Sequence, residues 1–363
     1  MPTPTNAPTT TTGGPERQDP ELFAQLTERQ AMPQTSVAIK GLAKTQRLIL
    51  EKVGVVARIR LLITVKFKPK EEEKAVVNPG WPWSLIREIA LQANGVTGII
   101  DCAGPVLEMR RRRIYRNPVS AIFKSPVIGA KLKKEVITTK FVVEIPIAHD
   151  MLSLIGSLLA QNEETGLSLQ ITWASEEEVI GGAGGIEGFE GEVEWASTVF
   201  SIGSTVIGKQ EVTVLPDLSA FHGIVQTETP LTGTGNRKAE LIRTAGQLLC
   251  YTATILNKAG AARVDLSPEE WTTFKLEYGG NKDPLVWTPA AELLEENADD
   301  YDGPLKVQGM NFLAIDNERD NAMRDMIIPQ SLTELRSVIG VPAGFVPENA
   351  QILTTQETLY PAV

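Results

Sequence analysis

Histidine and cysteine are almost absent from this chain of 363 residues, which has two of each. His149 and His222 have no cysteine or carboxylate pair at ligand spacing around them, so none of the zinc patterns fits. Cys102 and Cys250 are too few and too far apart for a disulfide framework, and point to synthesis in a reducing compartment. No apolar run reaches the ~18–20 residues that span a bilayer. The N-terminus lacks a basic-then-apolar signal, so the expectation is neither a membrane helix nor Sec export. A G-x-S-x-G element is missing too. Gly233-Thr234-Gly235 lacks the later Gly and the Lys-Ser/Thr of a phosphate loop and reads as a turn. Acidic runs at 176–178 and 292–302 are dense enough to be solvated, and no glycosidase pair stands out among them. The spacing of Asp299, Asp300 and Asp302 does not fit an EF-hand. No catalytic, cofactor-binding or metal-binding residue is expected.

What is present is an ordinary soluble composition with an uneven charge map. Hydrophobic residues make up 42% and charged residues 22%, ample for a real core, and the length favours two domains. Residues 1–28 carry one arginine against four acids, a net −3. Residues 29–70 carry ten Lys/Arg against Glu51 alone, a net +9, so the remainder must sum to −16 of the total −10. A second basic island holds Arg110, Arg111, Arg112, Arg113, Arg116, Lys124, Lys131, Lys133 and Lys134. An acidic body favours solubility, whereas a basic segment can meet an anionic surface.

Periodicity points to strands. Ile137, Thr139, Phe141, Val143 and Ile145 alternate with Thr138, Lys140, Val142 and Glu144, and Pro146 ends the run. Asp150 is placed to cap a helix through Met151, Leu154, Ile155, Leu158 and Leu159, before Leu167, Leu169, Ile171 and Trp173 alternate again. Ile59, Leu61, Ile63, Val65 and Phe67 form another buried face. Asn94-Gly95 signals a turn. Asp19 and Pro20 start a helix expected over 19–32, after a flexible arm at 1–15. Short helices are also expected at 106–115, at 290–302 and at 331–339. The stretch 176–194, rich in Gly and Glu, reads as a long surface loop. Strands are expected at 224–229, 239–244, 248–256 and 350–355. Many short strands with few helices argue for all-β sandwiches.

Two clusters carry candidate chemistry. Four consecutive arginines, Arg110 to Arg113, point in all directions on a helix and cannot share one nucleic-acid groove. Inter-subunit salt bridges suit them better, with no sequence-specific nucleic acid expected. Trp81-Pro82-Trp83 reads as an anchor in the core or at a subunit contact. With Trp195 it also offers a sugar-stacking platform.

Several segments together resemble the double jelly-roll major capsid proteins of tailless phages with an internal membrane, the tectivirus-type, adenovirus-like lineage. They are Glu144-Ile145-Pro146-Ile147-Ala148, then 152–161, then Leu167-Ser168-Leu169-Gln170-Ile171. Residues 83–95 followed by 99–104 add to them, as does Val346-Pro347-Glu348-Asn349-Ala350-Gln351 leading into the last strand. The resemblance implies two consecutive eight-stranded jelly rolls with short helices in loops. An N-terminal helical arm would occupy 1–44, the first jelly roll 45–218 and the second 219–363. It implies a homotrimer of pseudo-hexagonal outline tiling an icosahedral virion over a lipid membrane, made in the host cytoplasm, with penton and minor capsid or membrane proteins as partners. Towers would rise from loops such as 176–194. The arm would face inward, with Lys40, Lys44 and Arg47 toward lipid headgroups. Arg110, Arg111, Arg112, Arg113, Trp81 and Trp83 would serve inter-subunit contacts, and the family supplies no cofactor and no catalytic residues. The competing expectations are a phage spike or carbohydrate-binding β-sandwich protein and, further off, a jelly-roll hydrolase.

Overall fold

The computed structural model describes residues 16–361 apart from 34–35, 94–95, 117–121, 162–165, 183, 258–263, 279–284, 302, 304, 308–309, 317–326 and 346–349. The expected arm at 1–15, the Asn94-Gly95 turn, Asp302 and the 346–349 part of the resemblance lie outside the described residues.

The main strands of the first half are β1 (Thr45–Ile49), β2 (Val55–Pro69), β3 (Ile86–Ala93), β4 (Val96–Cys102), β5 (Ile137–Pro146), β6 (Leu167–Trp173) and β7 (Ile186–Phe200). The second half contributes β8 (Ala220–Pro230), β9 (Gln247–Asn257), β10 (Leu313–Asp316), β11 (Leu335–Val341) and β12 (Ala350–Pro361). Helices α1 (Pro20–Leu26), α2 (Gly104–Ile114), α3 (Glu176–Val179) and α4 (Ala291–Asp300) are short insertions. In the first half, a sheet centred on β7, β2 and β5 faces one made of β4, β3, β6 and β1. In β2 the alternating residues Ile59, Leu61, Ile63, Val65 and Phe67 are all buried, as the period of two requires.

One sheet belongs to both halves. Its order runs β9, β12, β8, β4, β3, β6, β1, and the crossing is a parallel pairing of Ile224 with Ile100 and Val225 with Asp101. Alternate residues of the central strands enter different cores. Cys250, Leu256 and Leu353 join the first core, whereas Tyr251, Ala253, Ile255 and Ile352 join the second. A strand covered on both faces has no solvated side, so every residue from Ile352 to Leu359 is buried. The second core is closed by a four-stranded sheet with β11 inside it. The architecture is a double jelly roll, all-β with a few inserted helices.

Four local expectations need correction. Residues 151–153 form turns rather than a helix. Asp150 accepts from the Leu152 and Ser153 amides at 3.1 and 2.7 Å, and Leu154 (φ 57°) and Gly156 (φ 84°) then turn the chain left-handed. Gly156 is required there, because a Cβ would lie 2.7 Å from that of His222. The helix from Asp19 ends at Leu26, and Arg29–Pro33 pairs with β7 as a strand. The stretch 176–194 is α3, a short strand Ile180–Gly182 and the first part of β7, hydrogen-bonded to β2. Residues 335–341 are strand β11, where Val338, Ile339 and Val341 suit a pleated surface.

Candidate functional site

The sheet crossing is covered by α2. Gly104 opens the helix because a Cβ there would collide with the Trp83 carbonyl, and Pro105 occupies its first turn. The four arginines divide by helical geometry. Arg111 and Arg112 fold back onto the buried Glu108: the Arg111 Nε and Nη2 donate to it at 2.7 and 2.9 Å, and the Arg112 Nε at 3.0 Å. The Arg112 guanidinium also lies over the Trp83 ring, 5.9 Å from its centroid. Arg110 and Arg113, one turn apart, point into the protein and are buried.

These two arginines meet acids from the second half. Arg110 Nε donates to Glu357 Oε1 at 2.7 Å, and its Nη2 to the His149 carbonyl at 3.3 Å. Arg113 Nη1 donates to Asp316 Oδ2 at 2.8 Å, and its Nη2 forms a short bond to Glu357 Oε2. Tyr301 donates to the same Asp316 oxygen at 2.7 Å. His222 Nε2 lies 2.9 Å from Glu357 Oε1, and His149 Nδ1 lies 3.5 Å from it. Residues from α2, β5's exit loop and β8 thus converge on Glu357 of β12, and Asp316 of β10 joins the cluster through Arg113.

Burial alone would raise Glu357, but the Arg110 and Arg113 guanidiniums and both histidines hold it well below the usual carboxylate range. Burial lowers His222 to about 4, outweighing its bond to Glu357, so it is neutral at pH 7. Burial also pushes the Cys102 and Cys250 thiols up. With His222 neutral, Arg110 and Arg113 stand against Glu357 and Asp316, two cations against two acids. The ligand atoms of His149, His222 and Glu357 lie within 4.8 Å of one another, close enough to surround a metal ion. A divalent cation does not fit, because it would add uncompensated charge beside two buried guanidiniums. The arrangement is a clamp between the two jelly rolls.

Sequence reasoning placed Arg110 to Arg113 at subunit contacts; all four are engaged within the chain. It set His149 and His222 aside for want of ligand partners and missed Asp316 and Glu357 altogether. The one available signal was Glu357 itself, a lone carboxylate in the run Ile352-Leu353-Thr354-Thr355-Gln356-Glu357-Thr358-Leu359. Trp81 and Trp83 are 1% and 0% exposed, their indole nitrogens bonded to Ser125 Oγ and the Val142 carbonyl, so within the chain they anchor the core. Trp195 is also buried, which removes the expected sugar platform. Lys40, Lys44 and Arg47 are exposed.

No protein-family model matches the chain, and no curated protein matches it either. Solved structures do. The major capsid protein of Sulfolobus turreted icosahedral virus aligns with a TM-score of 0.66 at 11% identity, covering 92% of this chain and 97% of that one. The PBCV-1 virus capsid aligns at 0.59 and 9% identity, covering 96% of both chains. The major capsid protein of bacteriophage PM2 aligns at 0.50 and 10% identity, covering 93% of this chain and 98% of that one. The chain therefore shares the double jelly-roll fold of viral major capsid proteins.

Proposed function

We propose that this chain is a major capsid protein, a structural protein and not an enzyme, that builds a virion shell from copies of itself. The observation that carries it is the likeness to capsid proteins across more than nine-tenths of both chains, both jelly rolls included. In its finer form, three copies with the division 1–44, 45–218 and 219–363 close into a capsomer of hexagonal outline. Capsomers then tile an icosahedral shell over the internal membrane of a bacteriophage, joined by penton and minor capsid or membrane proteins, after synthesis in the host cytoplasm. The clamp supports this reading because a tile must present its two jelly rolls at a constant angle. Sedimentation velocity over a concentration series tests it. A species of three times the 39.5 kDa chain is expected, and a monomer at every concentration would refute it.

The end of the first jelly roll that carries α1 is our candidate for the inner face. Phe23 of α1 packs there with Val55, Phe200 and Val214, and Val53, Leu152 and Val206 are exposed at 39%, 91% and 68% on nearby loops and a hairpin. Lys40 and Lys44 sit toward the other end, where the Lys44 carbonyl accepts from Trp173. On this reading the helix end meets the membrane, and Lys40 and Lys44 lie away from it. Arg47 lies midway along β1, its Nη2 donating to Ser168 Oγ at 3.0 Å.

A further inference from the structure

The outer face of the sheet formed by β7, β2 and β5 is divided by charge. β2 lies in the basic segment 29–70, whereas β7 lies in 141–208, which holds eleven acids and neither lysine nor arginine. The sheet sets these two strands side by side, so a segregation along the chain becomes a segregation across a surface. The residues of β2 that alternate with its buried face include Arg58, Arg60, Lys66 and Lys68, and β5 adds Lys140. On β7, Glu187, Glu190, Glu192 and Glu194 lie on the same face and are exposed. The register places Glu187 beside Lys68 and Glu190 beside Lys66, with Glu192 and Glu194 beside Thr64 and Leu62.

Some of these charges are matched within the chain. Lys68 stands 3.7 Å from Glu187, and Arg58 and Arg60 turn to Glu144 at 3.2 and 4.0 Å. Among the described residues, Lys66, Lys140, Glu190, Glu192 and Glu194 form no ion pair. The outer sheet of the second jelly roll differs. There Lys238 and Lys275 both bond Glu277, at 3.0 and 2.7 Å, and Arg336 bonds Glu240 at 2.6 Å. That face cancels its own charges. A face that keeps three carboxylates in a row beside unpaired ammoniums is complementary to a surface carrying the opposite pattern.

We propose that this face pairs with the same face of a second copy of the chain across a two-fold axis. An axis running along the strands between β7 and β2 lays each copy's acidic row over the other's basic strand. Glu190 of each copy then meets Lys66 of the other, and the half-buried Leu62 adds an apolar contact beside them. A uniformly basic or acidic partner would match one row and oppose the other, so the side-by-side arrangement selects a copy. A three-fold capsomer has no two-fold axis of its own, so the contact would join neighbouring capsomers. That placement rests on the capsid reading.

Sedimentation velocity of the full chain tests the proposal, with the readout a doubled form of whichever unit is present. The natural chain should form it reversibly. The triple variant Glu190→Gln, Glu192→Gln, Glu194→Gln puts near-isosteric side chains at exposed sites, so it should fold normally yet double at least about tenfold more weakly. The direction is diagnostic. Removing three negative charges from a chain of net −10 lowers general repulsion, which by itself would strengthen association. Two reversals, Glu190→Lys with Glu192→Lys and Glu194→Lys, and Lys66→Glu with Lys140→Glu, should each abolish doubling alone. Their equimolar mixture should restore it. No doubled form of the natural chain, undiminished doubling by the glutamine variant, or no recovery in the mixture would overturn the proposal. The three-copy species is read from the same boundaries. Its presence beside any of these results sinks the pairing alone, whereas single chains throughout sink the capsid reading as well.

Discussion

Arg113 and Asp316 stand 203 positions apart in the chain and 2.8 Å apart in space. Between them they join an insertion of the first jelly roll to the strand that flanks β9 of the second. Glu357, which Arg113 also bonds, extends the tie to β12. Two sandwiches that could have been beads on a string are thereby held by one sheet and one buried ionic cluster.

Removing one member of a buried ion pair leaves its partner charged and unpaired, which typically costs about 3–5 kcal/mol. Arg113→Met should therefore lower the urea midpoint strongly. Arg60→Ala, at an exposed site, should cost less than about 1 kcal/mol. Equilibrium unfolding of both variants checks the contrast.

Acid should loosen the clamp. Unfolded His222 takes up a proton near 6.5 but the folded residue only near 4, so its stabilisation is complete above pH 6.5 and is lost as pH falls toward 4. The loss is at most about 3 kcal/mol. Glu357, also depressed in the folded state, adds a further loss at lower pH. Thermal midpoints measured from pH 8 to pH 4 should fall below pH 6.5, and His222→Gln should flatten that part of the curve.

Cys102 and Cys250 lie on β4 and β9 with two strands between them, roughly 14 Å apart at ~4.8 Å per strand spacing. No disulfide joins them. Both are buried with raised pKa values, so a thiol reagent should modify neither in the native protein and both after unfolding. Rapid native labelling would show that the shared sheet opens.

Trp83 is wholly buried, edge-on to Phe141 and beneath Arg112. Trp83→Ala should cost about 3–5 kcal/mol and lower the cooperativity of unfolding, since the side chain supports the start of α2. A change below 1 kcal/mol in the same denaturation assay would mean that α2 is anchored elsewhere.

Much of this fold was legible wherever one face of an element meets solvent. Alternation in β2 and β5 and the Asp19-Pro20 start of α1 all correspond to what formed. Legibility failed where burial was two-sided or a tertiary contact ruled. The 151–159 segment has helical spacing, yet Gly156 must pass against His222, and a helix cannot bend there. The Gly- and Glu-rich 186–194 looks like a loop because its glycines and glutamates outnumber its apolar residues, and pairing with β2 makes it a strand. The clamp was invisible for a related reason. Its members come from positions 110, 113, 149, 222, 316 and 357, and no local pattern links residues brought together only by the sheet crossing.

The central claim is self-assembly into a tile, and negative-stain microscopy of the concentrated protein tests it most directly. The account predicts three-fold particles of hexagonal outline, each formed by six adjacent sandwiches. A uniform field of single two-lobed molecules at every concentration would contradict it.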